Sequence, residues 1–219
     1  MKNIFVTGSK SFIGAVMCEK LSTRDQQYNL LLSNDMLFDA DAVVHGCSAV
    51  DFDHTLRLIN ACNIYQINNF VFLQKHDCAD SEKVASYLKE SNINCVVLKL
   101  ATVTGVYDNF PHGNDVLYNL LNGNLNEIDT QDYIHVYDVA GATHNALKRN
   151  NRENNGYELF EIGNGKAYTL QDIALYSKID TDKIINRNYG YVASTQLTKQ
   201  EMIWEPSYEL DQIIETMYT

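Results

Sequence analysis

A chain of 219 residues has the size of one ordinary domain, or of one domain with a small appendage. Its 45% hydrophobic content, with only 2 Pro and 11 Gly, is typical of globular proteins and excludes the collagen-like and disordered classes. A formal net charge of −11 repels polyanions. We therefore expect no nucleic acid partner and no attachment to an anionic membrane.

The sequence also lacks the features of exported and metal-dependent proteins. It contains no apolar run of about 18 residues and no basic segment followed by an apolar signal. The 5 Cys are odd in number, widely spaced and never arranged as Cys-x-x-Cys, which argues against a disulfide framework and a structural zinc site. We predict a cytoplasmic protein with reduced cysteines and no metal.

Short apolar runs alternate with helical patterns in the first half of the chain. The predicted strands cover residues 2–6, 28–32, 42–44, 70–73 and 95–100. Helical periodicity covers residues 12–21, 55–67 and 81–91. This alternation predicts an α/β fold, a Rossmann-like doubly wound parallel sheet with helices on both faces.

The pattern becomes irregular after residue 100. Loop residues dominate 105–113, a helix is predicted over 116–121, and a polar turn follows at 122–126. A strand over 133–136 and a helix over 138–147 resume the alternation, and the tail predicts a strand over 158–162 and helices over 170–177 and 210–217. We therefore predict one domain from residues 1–101 with 132–149 and a small lobe from residues 102–131 with 150–219.

A glycine-containing turn directly follows the first strand. Its sequence is Thr7-Gly8-Ser9-Lys10-Ser11-Phe12-Ile13-Gly14, and a helix follows at once. In a βαβ unit such a turn brings backbone N–H groups close to a pyrophosphate at the amino end of a helix, whose dipole favours the negative charge. The position of the turn predicts a dinucleotide site.

The opening Val6-Thr7-Gly8-x-x-x-Phe12-Ile13-Gly14 resembles that of the extended short-chain dehydrogenase/reductase family, the nucleotide-sugar epimerases and dehydratases. Further segments resemble the family's landmarks in the same order. They are residues 41–45, 69–73, 97–105, 132–140, 157–165 and 204–208. The ordered set spans nearly the whole chain.

The resemblance implies that residues 1–101 with 132–149 form a dinucleotide-binding domain for NAD or NADP. It implies that residues 102–131 with 150–219 form a small substrate-type lobe for a nucleotide-sugar or other small-molecule ligand. The cofactor-binding residues that it implies are Gly8, Ser9, Lys10, Ser11, Phe12, Ile13, Gly14, Asp35, Gly46, Cys47, Lys83 and Leu100. It also implies a homodimer formed by the helices over 55–67 and 81–91. Their apolar positions Leu58, Val84 and Leu88 are compatible with such a pairing.

The sequence departs from the family on the cofactor side. Ser11 stands where the family has the middle glycine of Gly-x-x-Gly-x-x-Gly, and either donates to a phosphate or caps the following helix. Asp35 is the nearest candidate for the acid that holds the adenosine ribose, although it comes later than usual. Only a few residues separate Asp35 from Asp41, so the family's third strand and its helix are predicted to be missing.

The second departure concerns the chemistry. The family uses a Tyr as general acid or base, a Lys four residues later, and a Ser or Thr that steadies the substrate oxygen. By resemblance Lys83 is that lysine, a catalytic remnant, but Ala79 stands four residues before it. None of the 14 Tyr has a Lys four residues later, and the Ser/Thr position holds Gln74 and Lys75.

Other polar and aromatic residues offer alternatives. The candidate acid or base groups are His45, His76, His135, Asp77 and Asp80. The candidate stacking platforms for a base or sugar are Tyr107, Phe110, Tyr118, Tyr189, Tyr191 and Trp204.

Three functions follow from these features. The first is a dinucleotide-binding relative of the epimerases and dehydratases in sugar or polysaccharide metabolism, with a degenerate catalytic site. The second is an active oxidoreductase or epimerase that uses non-standard acid and base groups. The third is a structural or partner-binding dimer that binds no ligand.

Overall fold

Two units divide the chain in the computed structural model, which describes residues 1–23, 28–46, 48–105, 115–149, 156–187 and 190–218. Unit 1 contains Met1–Lys99 and Ala140–Phe160. Unit 2 contains Leu100–Val139 and Glu161–Thr219. Cys47, Tyr107, Phe110 and Tyr189 lie outside the described residues.

The strands follow the apolar runs of the sequence. They are β1 (Lys2–Val6), β2 (Tyr28–Leu31), β3 (Ala42–His45), β4 (Asn69–Lys75), β5 (Asn94–Leu100), β6 (Thr102–Thr104), β7 (Glu127–Asp129), β8 (Tyr133–His135), β9 (Tyr157–Ile162) and β10 (Ile185–Arg187). Six of them form one sheet in the order β2-β1-β3-β4-β5-β9. β1 pairs in parallel with β2 and β3, and β3 pairs in parallel with β4. The doubly wound sheet is confirmed.

The helices connect these strands. They are α1 (Phe12–Thr23), α2 (Phe52–Ile64), α3 (Ala79–Glu90), α4 (Val116–Leu121), α5 (Val136–Arg149), α6 (Leu170–Tyr176) and α7 (Leu210–Thr216). Short 3-10 turns cover Asn34–Asp39 and Thr181–Lys183, and a π-helical turn covers Thr198–Met202. None of the helices in the described part of the chain is long and apolar enough to cross a membrane.

The start of α2 differs from the sequence prediction because of a helix cap. The Asp51 side chain accepts a hydrogen bond from the His54 backbone N–H at 2.7 Å. This N-cap starts the helix at Phe52, three residues before the predicted start at 55, because the carboxylate satisfies a backbone donor that the helix itself leaves unpaired.

The connection from β2 to β3 is short. Within residues 28–46, which are all described, only the 3-10 helix Asn34–Asp39 separates the two strands. The predicted loss of the family's third strand and helix is therefore confirmed. As a result β2 is an edge strand and β1 lies second from the edge.

The core of unit 1 contains the apolar positions that we predicted for a dimer interface. Leu58 is 9% exposed, and Val84 and Leu88 are 0% exposed, all within one hydrophobic cluster with sheet residues such as Phe70 and Phe72. These side chains are unavailable to a partner subunit, so this basis for the homodimer is wrong. The amphipathic period identified the buried faces correctly, but they pack within the unit. The homodimer itself stays a prediction.

Unit 2 contains two small parallel pairs, β6 with β8 and β7 with β10. Its apolar cluster includes Leu117, Ile128, Tyr133 and Ile213. The sequence pattern did not predict β6, β7 or β10, because three residues are too few to establish a period of two.

Candidate functional site

The glycine turn lies at the carboxyl end of β1, between strand and helix. The backbone N–H of Ser11 donates to the Gly8 carbonyl oxygen at 2.8 Å, which closes the turn. Gly8 has a φ of +66°, a left-handed conformation that glycine adopts without steric cost. The sheet order reverses here, because β2 lies on one side of β1 and β3 on the other. Open α/β sheets bind ligands at such a switch point.

Gly14 lets α1 approach the turn closely. A Cβ atom at this position would lie 2.0 Å from the Gly8 carbonyl oxygen and 2.9 Å from the Ser9 Cα. Both are backbone atoms, which cannot rotate away as a side chain can. Position 14 therefore accepts only glycine while the turn keeps this shape, and this is the approach that a dinucleotide turn requires.

Ser11 serves as a helix cap. Its Oγ donates to the Gly8 carbonyl oxygen at 2.8 Å and accepts from the Gly14 N–H at 3.1 Å. Because α1 begins at Phe12, Gly14 is the third helical residue, and the bond is that of an N-cap serine. Of the two roles predicted for Ser11, the geometry favours the cap. The hydroxyl reinforces the turn that the family closes with glycine.

The segment after β3 packs on the same turn. A Cβ on Gly8 would lie 2.7 Å from the Ser48 Oγ, and a Cβ on Gly46 would lie 2.3 Å from the Leu73 carbonyl oxygen. Gly46 also has a φ of +99°. The predicted residues Gly8 and Gly46 thus lie where the carboxyl ends of β1, β3 and β4 meet, while their predicted neighbour Cys47 lies outside the described residues.

A buried chain of hydrogen bonds joins the turn to α2. The Thr7 Oγ1 lies 2.9 Å from the His45 Nδ1, and the His45 Nε2 lies 2.8 Å from the Thr55 Oγ1. Thr55 in turn donates its hydroxyl proton to the Asp51 carbonyl oxygen at 2.7 Å. We call this chain the Thr7–His45–Thr55 relay. It fixes the last residue before Gly8 against two other elements.

The hydrogen bonds of the relay determine the form of His45. Since Thr55 uses its only hydroxyl proton on Asp51, its oxygen accepts from the Nε2–H of His45, and the Nδ1 of His45 accepts from Thr7. Burial, with a smaller contribution from the nearby His54, lowers the pKa of His45 to about 4. The ring is therefore neutral at physiological pH, and both of its nitrogens are engaged in the relay. Its place in the relay argues against the acid or base role considered for it.

Two further members of the predicted cofactor set lie at other strands: Asp35 follows β2, and Leu100 ends β5. Asp35 is exposed in the first turn of the 3-10 helix, whereas the residue that directly follows β2 is Leu32. Leu100 is buried at the end of β5 and belongs to unit 2.

α3 follows β4, in the position where the family presents its Tyr and Lys. Lys83 extends into solvent, with 61% of its side chain exposed, and pairs with Asp80 at 2.9 Å. This pair raises the pKa of Lys83 and lowers that of Asp80. Ala79, four residues before Lys83, is the first residue of the helix. The two positions that the resemblance aligned with the family's acid–base pair are thus Ala79, with a methyl side chain, and a lysine in an exposed ion pair.

Two buried polar groups at this end of unit 1 were not predicted to belong to the site. Gln74 is 5% exposed and Ser81 is 0% exposed, and neither the Gln74 Oε1 nor the Ser81 Oγ has a hydrogen-bond partner among the described residues. Gln74 lies near the end of β4 and Ser81 in the first turn of α3. The helical period of the buried positions Ser81, Val84, Ala85 and Leu88 is the signal that places Ser81 toward the sheet.

The other acid and base candidates do not gather at one point. His76 and Asp77 lie in the turn between β4 and α3, half-buried and exposed respectively. His135 lies in unit 2, fully buried, with its ring stacked on Tyr208 at 4.0 Å and its Nδ1 accepting from the Tyr137 N–H at 3.2 Å. Among the described residues, no group of three or more His, Cys, Asp or Glu is placed to hold a metal ion.

Unit 2 has a buried carboxylate at its centre. The Oδ1 of Asp132 accepts from the Asn164 N–H at 3.0 Å, and its Oδ2 accepts from the N–H groups of Gly165 at 2.8 Å and Ala193 at 3.3 Å. Burial raises the pKa of Asp132 to about 6, and these donors oppose the shift. Because its partners are backbone groups of two segments, residues 164–165 and residue 193, Asp132 holds both of them against its own segment.

The aromatic residues that we considered as stacking platforms are mostly part of unit 2. Trp204 is 7% exposed, and Tyr118 and Tyr191 are half-buried. The remaining three candidates lie outside the described residues. Trp204 is therefore a packing residue of its unit.

Comparisons with known proteins agree with this architecture. No family model matches the sequence, and no match was found among curated proteins. Among solved structures, UDP-glucose 4-epimerase from Stenotrophomonas maltophila, crystallised with NAD and formylated UDP-arabinopyranose, aligns with a TM-score of 0.76 and 15% identity over 100% of this chain and 97% of the epimerase.

Two further structures give similar values. The dTDP-glucose 4,6-dehydratase of Bacillus anthracis, in complex with NAD, has a TM-score of 0.74 and 16% identity over 100% of this chain and 96% of the dehydratase. RMD from Pseudomonas aeruginosa, complexed with NADPH, has a TM-score of 0.72 and 14% identity over 99% of this chain and 98% of that protein. At such identities the likeness concerns the fold. The chain has the fold of the extended short-chain dehydrogenase/reductase family.

Proposed function

We propose that this protein is a relative of the nucleotide-sugar epimerases and dehydratases that binds a nicotinamide dinucleotide at the glycine turn, residues 7–14, without the family's Tyr–Lys chemistry. The observation that carries the binding half of the proposal is the 2.0 Å approach at Gly14. This approach packs the start of α1 against the turn, which is the arrangement that a dinucleotide-binding turn uses.

The physical basis for binding is the anion site at the start of α1. The turn and the first helical residues lie at the positive end of the helix dipole, which attracts the pyrophosphate of a dinucleotide. The Thr7–His45–Thr55 relay holds the turn in shape before the ligand arrives, which lowers the ordering cost of binding. A bound nicotinamide supplies hydride chemistry, while the residues of this chain bind and orient it.

The second ligand class comes from the solved structures with this fold. Several of them hold a UDP-sugar, including the Thermotoga maritima UDP-glucose 4-epimerase with UDP-glucose. We propose a nucleotide sugar or a related small molecule as the second ligand, and a place in sugar or polysaccharide metabolism.

The proposed loss of the Tyr–Lys chemistry depends on α3 and β4. Ala79 has no titratable group, and Lys83 is exposed and paired with Asp80. Gln74, near the position of the family's Ser or Thr, carries an amide in place of a hydroxyl, and its Oε1 has no hydrogen-bond partner among the described residues. An exposed ion pair of this kind contributes little energy and does not hold the lysine toward a ligand.

Calorimetric titration of nucleotide-free protein with NAD⁺ and NADP⁺ tests the binding half. We expect saturable binding to at least one dinucleotide and a higher melting temperature with ligand, because a ligand that binds only the folded state stabilises it. Gly14→Glu, which places a bulky anion in the turn, abolishes both effects. Absence of binding in the wild type would leave the structural dimer as the better explanation.

A second experiment tests the loss of chemistry. The protein is incubated with UDP-glucose, dTDP-glucose and each dinucleotide, and the sugar products are separated by chromatography. We expect no turnover, and Lys83→Ala leaves dinucleotide affinity within about threefold, a change of less than about 0.7 kcal/mol. Robust turnover that disappears in Lys83→Ala contradicts the proposal. Turnover that disappears in His76→Ala instead supports an enzyme with non-standard groups.

A further inference from the structure

The edge strand β2 ends beside the glycine turn. The parallel register pairs Phe5 with Leu31, so the next pair along the two strands is Val6 with Leu32. Leu32 is apolar and yet 51% exposed. An exposed leucine thus occupies the first position beyond β2, alongside the residue from which β1 enters the turn.

A carboxylate beyond this strand is the usual determinant of NAD binding. It accepts hydrogen bonds from the ribose 2′-hydroxyl of NAD, and its charge repels the 2′-phosphate of NADP. Leu32 does neither. Asp35 comes three residues later, exposed in the 3-10 helix Asn34–Asp39 rather than at the strand end. The described structure therefore places no acid directly after β2.

The glycine turn itself supplies a positive charge. Lys10 is the single charged residue among positions 7–14, and its side chain is exposed. It lies within the turn that the bond from Ser11 N–H to the Gly8 carbonyl oxygen closes at 2.8 Å. The chain has a net charge of −11, so Lys10 places a positive charge within a mostly negative protein, at the end of the sheet where we propose that phosphate binds.

We propose that the dinucleotide site prefers an adenosine 2′-phosphate, so that NADP binds more tightly than NAD, with Leu32 and Lys10 as the specificity-determining residues. This inference rests on the proposed function. It names the cofactor class of the same site. Leu32 removes both the bond that favours NAD and the repulsion that excludes NADP, while Lys10 adds attraction for the extra phosphate.

The experiment compares calorimetric dissociation constants for NADP⁺ and NAD⁺ at 50 mM and 300 mM salt. We expect the wild type to bind NADP⁺ at least fivefold more tightly at low salt, with the ratio falling at high salt because the added interaction is between charges. Leu32→Asp shifts the ratio toward NAD⁺ by at least tenfold. Lys10→Gln weakens NADP⁺ binding at least fivefold more than it weakens NAD⁺ binding.

Two control variants separate specificity from general charge effects. Lys89→Gln removes an exposed charge from the last turn of α3, which lies toward the amino ends of the strands and away from the turn. Asp35→Asn removes the acid that the sequence suggested. We expect both to keep the wild-type ratio. The inference is overturned if the wild type binds NAD⁺ more tightly than NADP⁺. It is also overturned if Asp35→Asn changes the ratio of the two dissociation constants and Leu32→Asp does not. In both cases the proposed function stands. Binding of neither dinucleotide overturns both.

Discussion

Replacement of Gly14 by alanine is the sharpest test of the glycine turn. The added Cβ would lie 2.0 Å from the Gly8 carbonyl oxygen, whereas ordinary contacts begin at 3.4 Å. The turn and the helix must therefore separate by about 1.4 Å, the difference between these distances. Overpacking of this kind costs about 1–3 kcal/mol of unfolding free energy.

The effect on dinucleotide binding is larger than the effect on stability. A shift of more than 1 Å removes the hydrogen bonds between backbone N–H groups and phosphate, each worth about 1.5–3 kcal/mol when one partner is charged. We expect affinity to fall at least about a hundredfold, equivalent to about 2.7 kcal/mol. Titration calorimetry measures the affinity, and urea denaturation followed by circular dichroism measures the stability.

Gly123→Ala is the matched control. Gly123 has a φ of +71°, but a Cβ there meets no heavy atom within 4 Å. This variant costs roughly 1 kcal/mol because alanine is strained at positive φ, and it leaves dinucleotide affinity unchanged. If Gly14→Ala binds as tightly as the wild type, or if both variants lose affinity equally, the close approach at Gly14 does not shape a binding turn.

Three further predictions concern stability. The unfolded chain protonates His45 near pH 6.5 and the folded chain near pH 4, so the free energy of unfolding falls by about 3 kcal/mol as the pH drops through this window. His45→Asn removes this loss. Equal acid sensitivity of variant and wild type, in urea titrations at pH 7 and 4.5, would refute the prediction. Asp132→Asn leaves at least one of three backbone N–H groups without its acceptor and costs about 1–3 kcal/mol at pH 7, which denaturation of wild type and variant side by side will measure. Ile203 is 85% exposed and is a strained β-branched residue at a φ of +51°, so Ile203→Gly raises the free energy of unfolding by about 1 kcal/mol. Gln66→Gly, at a φ of +59° without β-branching, gives a smaller increase. A lower melting temperature in Ile203→Gly would argue against strain at this position.

The sequence predicted the central sheet well because its strands are buried apolar runs. β1 and α1 begin where the pattern places them, and the short span between Asp35 and Asp41 correctly indicated a missing strand. The π-helical turn Thr198–Met202 gave no comparable signal, and neither did strands β6, β7 and β10, whose partner strands are distant in sequence. Local periodicity cannot report pairing that tertiary packing decides.

The candidate site was predictable in its glycines and less so in its side chains. Gly8 and Gly14 were identified from their spacing after a strand. Asp35 was the nearest acid in sequence, but it lies in the 3-10 helix Asn34–Asp39, and Leu32 is the residue that directly follows β2. The relay through His45 joins residues 38 and 10 positions apart, so no short motif reveals it. Apolar periodicity correctly identified Leu58, Val84 and Leu88 as buried, but they pack within unit 1 and not against a second subunit.

The position of β2 at the sheet edge has a consequence for local unfolding. A four-residue edge strand, hydrogen-bonded on one side, belongs to the least protected part of a fold and opens without the rest of the sheet. In this protein that strand directly neighbours the strand that carries the glycine turn. Transient opening of β2 therefore reaches the proposed dinucleotide site, and we expect a dinucleotide bound there to slow amide exchange in β2. The short edge strand thus links dinucleotide binding at the proposed site to local opening of the sheet.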